Sequence, residues 1–342
     1  MRILGIETSC DETAAAVIEN GTKVLSSVVS SQIDIHAAYG GVVPEVAARS
    51  HIEVMLPVVE QALKEAQSTW NDIDAIAVTY GPGLVGSLLI GTLTARMLAM
   101  LKNKPLYPVH HVKSHVYASF LSGKEPTFPL LSLIVSGGHT QLVLFHSHNK
   151  YEILGKTQDD AVGEAFDKVA KIIGLPYPGG PSIAEAAQHG NAVAYSFPKA
   201  RMQNPYDFSF SGLKTAVLRR VQAECGVDYS FPSFQLAERL NKQQQKDFAA
   251  SFQKVAVETL VDKLFLAFKH HSPASVVIAG GVAANNEIRR VAQERIPLEV
   301  IYPDFQFCTD NAAMIASLAY FESQLNSPSD PRLLDVEPSI SM

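Results

Sequence analysis

One arrangement of apolar runs and polar loops occurs twice in this chain, and it limits the possible folds more than any other feature. Residues 2–6 (RILGI) are apolar, ETSCDET is a polar loop, 14–18 are apolar again, 19–21 make a turn, and 23–29 form a third run. The same order returns at 130–135, with SGGHT as the loop, 141–145 as the second run, 146–150 as the turn and 151–154 opening the third. Thr13 and Thr140 hold matching places in the two copies. Short apolar runs bounded by Gly, Asn and acidic residues read as strands.

The correspondence continues downstream. In the first copy, residues 43–67 have the apolar spacing of a helix, followed by a buried strand at 73–79, the turn GPGLVGS, a helix at 84–101 and a strand at 105–109. In the second, helices are predicted at 159–173 and 247–270, a strand at 275–279, the turn GGVAANN, a helix at 286–295, a strand at 298–302 and a last helix at 312–323. Two β-β-β-α-β-α-β-α units predict an α/β chain of two ribonuclease-H-like halves with a cleft between them. The halves are expected at 1–125 and 126–309. A helix at 310–325 is expected to pack back on the first half, with a tail at 326–342. The second copy carries an insertion, 176–235, rich in Pro, Gly and aromatics.

Directly after the run at 105–109 stands HHVKSH, with His111 and His115 four residues apart. On a helix both imidazoles leave one face, a turn apart, where they can share a first-row metal or simply line a solvated face. The repeat adds a third group, since the loop after residue 109 corresponds to the loop after residue 302, which carries Asp310. Two histidines and one carboxylate leave coordination positions open, as catalytic metal sites do. A zinc peptidase of the HExxH kind is the competing reading. It needs a glutamate beside the first histidine, and Val112 stands there. A small-molecule kinase would instead need an acid that holds magnesium. His110 points away on a helix and reads as structural.

Three glycine-rich turns (136–140, 81–86 and 280–285) sit at strand ends, where backbone amides can approach an anion. Together they suggest a phosphate and a nucleoside in the cleft. Asp11 and Glu12, in the first polar loop, are candidates for ligand contact or proton transfer. Asp167, in EAFDKVAK, is a further carboxylate near the expected cleft or else a solvated one.

With 47% hydrophobic and 18% charged residues, the chain suits a globular enzyme. Its opening run is short and meets acids, unlike a signal peptide, and no apolar run reaches the length of a membrane span. Three cysteines without CxxC spacing suggest neither a disulfide framework nor a zinc knuckle, and a reducing cytoplasm is expected. A net charge of −6 argues against a protein that coats nucleic acid. Lys199, Arg201, Lys214, Arg219 and Arg220 could still form a local basic surface, although scattered charge is the plainer reading.

GIETSCDET, GGVVPE, GPGLVGSLL, HHVKSH, LIVSGGHTQL, GEAFDKVAK, YPGGP, FSFSGLKT, AGGVAANN and FCTDNAAMIA, in this order across nearly the whole chain, resemble the TsaD family, formerly the Gcp or YgjD glycoproteases. The ETSCDET form is similar to the bacterial branch. This resemblance implies the sugar-kinase, Hsp70 and actin superfamily of folds. It further implies transfer of a threonylcarbamoyl group from threonylcarbamoyl-AMP to N6 of adenosine 37, in tRNAs reading codons that begin with A. By the same resemblance, iron(II), or zinc in its place, is held by His111, His115 and Asp310. The adenylate contacts Ile134, Val135, Ser136, Gly137, Gly138, Asp167, Gly180 and Asn285. Where some relatives carry a ribose-binding Asp after YPGGP, this chain has Ala184. The implied partners are tRNA, a smaller TsaB-like paralogue and a TsaE-like P-loop ATPase, with no membrane.

Overall fold

The computed structural model describes residues 1–342, and each copy of the repeated pattern forms its own sheet. In the first, β1 (Arg2–Glu7), β2 (Glu12–Glu19) and β3 (Lys23–Ser31) run antiparallel in succession. The short helix α1 (Ile33–Ala37) follows, and then the long helix α2 (Pro44–Glu65). β4 (Ala75–Gly81) and β5 (Leu106–His110) add in parallel beyond β1, with α3 (Val85–Lys102) crossing between them. The sheet order is β3-β2-β1-β4-β5. β1, β2 and β4 are buried almost throughout, because α2 and α3 cover one face of the sheet and a returning C-terminal helix covers the other. Strands buried on both faces read as unbroken apolar runs, which is why these were visible in the sequence.

The second sheet repeats this order. β6 (Leu130–Val135), β7 (Thr140–Ser147) and β8 (Lys150–Lys156) are antiparallel, and β9 (Ser275–Ala279) and the short β10 (Val300–Ile301) lie on the far side of β6. α4 (His111–Tyr117) precedes this sheet in the chain, whereas α5 (Val162–Ile173), α6 (Gly179–Ala187), α7 (Ser211–Glu224), α8 (Lys242–His271) and α9 (Asn286–Arg295) surround it. The fold is therefore α/β and duplicated. The region at 176–235 contributes α6 and α7, which the irregular composition concealed.

The division of the chain differs from the expected one. One compact unit comprises Met1–Pro126 with Ile301–Met342, and the other Thr127–Val300. The return to the first unit comes at residue 301 rather than 310, so α10 (Phe305–Cys308), Asp310 and α11 (Ala312–Ser323) all belong to the unit that holds the histidines. Gly5 makes this possible: a Cβ there would lie 2.3 Å from the Ala312 carbonyl oxygen, so only glycine lets α11 lie so close to β1. Residues 326–342 are not a loose tail. Ser329 bridges to Leu106, and the Glu337 amide donates to the Tyr80 carbonyl at 2.8 Å.

α3 is long and apolar enough to cross a membrane by length and composition, contrary to the sequence expectation that no stretch approaches this. It packs on β4 and α2 and buries Ser87, Leu88, Gly91, Thr92, Ala95, Leu98 and Ala99. Arg96 donates to the carbonyls of Pro331 and Arg332.

Candidate metal centre

The C-terminal ends of parallel strands are where α/β sheets usually present ligands. In the first unit, β1 ends on Glu7 and β5 on His110, and α4 begins at once. The His110 side chain accepts from the Lys113 amide and caps α4, which gives it the structural role expected. One turn of helix then carries His111 and His115, with ring centroids 4.8 Å apart and nearly edge-on. Asp310 arrives from the other side, held between α10 and α11. Asn311 fixes it there by accepting from the Met314 amide and donating to the carbonyls of Phe307 and Thr309. Lys113, nearly buried, reaches Glu322 at 2.7 Å and ties α4 to α11.

One ligand atom from each of His111, His115 and Asp310 lies within 4.8 Å of the others. The Nε2 atoms of both histidines stand 3.6 Å from the same oxygen, Asp310 Oδ1, too far for hydrogen bonds. Bonds of about 2.1 Å at a tetrahedral centre put ligand atoms about 3.4 Å apart, so the two 3.6 Å separations suit a first-row divalent ion. Two imidazoles and one carboxylate suit iron, zinc or their neighbours.

Glu7, absent from the candidates drawn from sequence, completes the arrangement. It is fully buried at the end of an apolar strand. Its Oε2 accepts from His111 Nδ1 at 3.0 Å and from the Thr79 hydroxyl at 2.6 Å, and its Oε1 accepts from the Ser9 amide. Ser9 Oγ also lies 3.1 Å from His111 Nδ1. With Nδ1–H committed to a carboxylate, Nε2 presents its lone pair to the metal position, the tautomer that a ligating histidine requires. Burial pushes the Glu7 carboxyl up, but the neighbouring imidazole charge and three hydrogen bonds win and hold it at about 2. Burial lowers His111, yet Asp310 and Glu7 outweigh it and raise the imidazole to about 9. Burial also lifts Asp310 to about 6 despite His111. No spacing rule links Glu7 to a histidine pair more than a hundred residues away; only the pairing of β1 with β4, and of β4 with β5, brings them together.

Asp11 ends the loop after β1, and Glu12 opens β2. Glu12 accepts from Ser31 Oγ at 3.3 Å, and burial together with the nearby Asp310 and Asp11 pushes its carboxyl well above the usual range.

In the second unit, β6 and β9 run in parallel and end side by side, Ile134 opposite Ala279. Ile134, Val135 and Ser136 are buried and shape the turn, whereas Gly137 and Gly138 are exposed at its tip. A Cβ on either glycine, or on Gly180, would meet no protein atom within 4 Å. Neither packing nor a positive φ accounts for these glycines, and the space beside them is open. Asp167 accepts from the Gly179 amide at 2.7 Å, which draws it next to Gly180. Asn285 caps α9 through Oδ1 and donates to Gln253 at 2.9 Å. Four of the five basic residues are engaged by neighbours. Lys199 pairs with Glu258 and Asp262, Lys214 with Asp160, and Arg220 with Glu224, while Arg219 stacks on Tyr229.

Comparison with known proteins agrees with this geometry. The family described as TsaD, tRNA N6-adenosine threonylcarbamoyltransferase, matches residues 23–317. The tRNA N6-adenosine threonylcarbamoyltransferase of Dehalococcoides mccartyi is 48% identical over 100% of this chain and 99% of its own length. That of Symbiobacterium thermophilum is 50% identical over 93% and 91%. Among solved structures, HypF from T. kodakarensis has a TM-score of 0.64 at 13% identity, covering 94% of this chain and 48% of that one. Component A of the Acidaminococcus fermentans (R)-2-hydroxyglutaryl-CoA dehydratase has a TM-score of 0.52 at 14% identity, covering 95% and 99%. These two likenesses concern the fold alone.

Proposed function

The chain belongs to the TsaD family of tRNA N6-adenosine threonylcarbamoyltransferases, and from that membership we propose that it takes the threonylcarbamoyl group from threonylcarbamoyl-AMP and places it on N6 of adenosine 37, in tRNAs reading codons that begin with A. The observation that carries the reading is the cluster of His111, His115 and Asp310, with Glu7 behind it, in a chain of this family.

The donor is a mixed anhydride, so AMP is already a good leaving group. N6 attacks the carbamoyl carbon, the bond to the phosphate oxygen breaks, and N6 gives up a proton. What remains for the protein is positioning and stabilisation of charge on the carbonyl oxygen. His111, His115 and Asp310 would hold the metal, iron(II) ahead of zinc, which supplies a Lewis acid with open positions. Glu7 keeps His111 in the ligating tautomer. Asp11 and Glu12 are the proposed acceptors of the N6 proton. Gly137 and Gly138, with Ile134, Val135 and Ser136 shaping their turn, would take the adenylate phosphate, and Asp167, Gly180 and Asn285 its nucleoside. No side chain is needed as a nucleophile.

A smaller paralogue and a P-loop ATPase are the proposed partners. For the paralogue we assign the outer face of α3, where Val85, Leu89, Leu93, Met97 and Met100 form an exposed apolar stripe, with Ile52 and Leu56 of α2 exposed as well. The peptidase reading lacks support, since Val112 takes the place of the general base and Glu7 is committed to His111.

The test is mass spectrometry of nucleosides after incubating unmodified tRNA, threonylcarbamoyl-AMP and both partners with wild type or Asp310→Ala. The wild type should form the threonylcarbamoyl nucleoside, and Asp310→Ala should lose bound metal and product together. Absence of product from metal-loaded wild type overturns the reading.

A further inference from the structure

Behind the loop that carries Asp11 and Glu12 lies a chain of buried polar side chains that the reaction described above does not use. Thr13, His36 and His51 are completely buried and Gln32 nearly so. Apolar residues could fill this volume, and a buried polar group left without a partner is destabilising. Each member of the chain is satisfied, in one sense only. The Val43 amide donates to His36 Nδ1 at 3.3 Å, so the His36 proton sits on Nε2, which donates to Gln32 Oε1 at 3.2 Å. Gln32 Nε2 then donates to the Ala47 carbonyl at 3.3 Å and faces His51 Nδ1 at 3.4 Å. The Thr13 hydroxyl lies 2.7 Å from the same Nδ1. At the far end, His51 Nε2 is 3.0 Å from the Cys10 carbonyl, which can only accept. His51 therefore carries its proton on Nε2 and accepts from Thr13 on Nδ1.

The end point of this chain is the metal-side loop. The Cys10 carbonyl also accepts from Ser87 Oγ at 3.1 Å, the Asp11 carbonyl from the Gln32 amide at 3.1 Å, and the Ser9 carbonyl from the Leu84 amide at 2.8 Å. Every carbonyl from Ser9 to Asp11 is held. On the same stretch Ser9 Oγ lies 3.1 Å from His111 Nδ1, and the charges of Asp11 and Asp310 act on Glu12.

We propose that His51 is a positioning residue for the metal centre: in its single neutral tautomer, backed by His36 and Gln32, it clamps the Cys10 carbonyl and so sets the Ser9–Glu12 loop against His111 and Asp310. The proposal rests on reading His111, His115 and Asp310 as metal ligands. Glutamine can reproduce both ends of the imidazole, donating to Cys10 and accepting from Thr13, whereas leucine fills the volume and does neither.

The test compares full-length wild type, His51→Leu and His51→Gln by titration with Co(II), read from its visible absorption, and by kcat and KM for tRNA modification. Outer-shell changes at metal sites typically cost roughly ten- to a hundredfold in affinity. His51→Leu is expected to weaken Co(II) binding by about tenfold and to alter the cobalt spectrum, with a fall in kcat larger than any rise in KM. His51→Gln should recover most of both. Co(II) binding by His51→Leu equal to wild type, or equal loss in both variants, overturns the proposal. Should His51→Leu fail to fold, Thr13→Val takes its place. A threefold or greater loss of Co(II) affinity there supports the clamp, and an unchanged affinity overturns it. Wild type that binds Co(II) yet modifies no tRNA would instead overturn the proposed function, and the Co(II) comparison would stand.

Discussion

Glu7 decides what the histidine pair can do, and it is the residue on which single substitutions should act most clearly. Glu7→Gln keeps the shape but removes the charge that holds His111 with Nδ1 protonated, so metal affinity should fall by about ten- to a hundredfold, as read by competition with a chromogenic chelator. The fold should survive, because Thr79 and Ser9 can still bond the amide. A pH dependence follows from the same group. Without metal, Glu7 and Asp310 outweigh burial and raise His111 to about 9, so near neutral pH its Nε2 bears a proton that metal must displace. Metal binding therefore releases about one proton at pH 7 and weakens as the pH falls. Asp310, lifted to about 6 by burial, adds a second competing proton below that pH. Calorimetric titration in two buffers of different ionisation enthalpy measures the release directly; no proton release at pH 7 would contradict this account. The histidine pair was legible because i and i+4 share a helix face. Glu7 was not, since a lone acid closing an apolar run carries no signal of what tertiary pairing sets beside it.

At the scale of elements, the strands 130–135 and 275–279 and the helices 286–295 and 312–323 coincide with the runs visible in the sequence, because each is bounded by glycine, polar turns or a capping asparagine. α6 and α7 escaped notice within a Pro- and aromatic-rich stretch, and α10 is a single turn with no periodicity to show. The contact between β1 and α11 is the most sensitive one. Gly5→Ala would drive a methyl into the Ala312 carbonyl, and overpacking of this kind costs about 1–3 kcal/mol. A lower melting temperature is expected, together with weaker metal binding, since the displaced helix begins beside Asp310. The α3 stripe makes the opposite prediction. Leu93→Glu lies on the exposed face, so it should leave the melting temperature and metal content unchanged while abolishing co-purification with the smaller paralogue.

At the scale of the whole molecule, the repeat was readable because duplication imposes one order of strands twice, β3-β2-β1-β4-β5 and β8-β7-β6-β9-β10. The point at which the chain returns to its first unit was not readable, because it depends on how closely α11 can approach Gly5 rather than on any local pattern. That discontinuity has a temporal meaning. His111 and His115 emerge from the ribosome roughly 200 residues before Asp310, an interval of about 10–40 s at ordinary rates of synthesis. Throughout it the first sheet lacks the helix that covers one of its faces, and the two imidazoles have no carboxylate to share a cation with. The intervening unit, Thr127–Val300, is complete before the last stretch is made. A metal that needs all three groups would thus be captured only when translation is nearly finished, and a nascent chain stalled in that interval holds two imidazoles and no carboxylate between them.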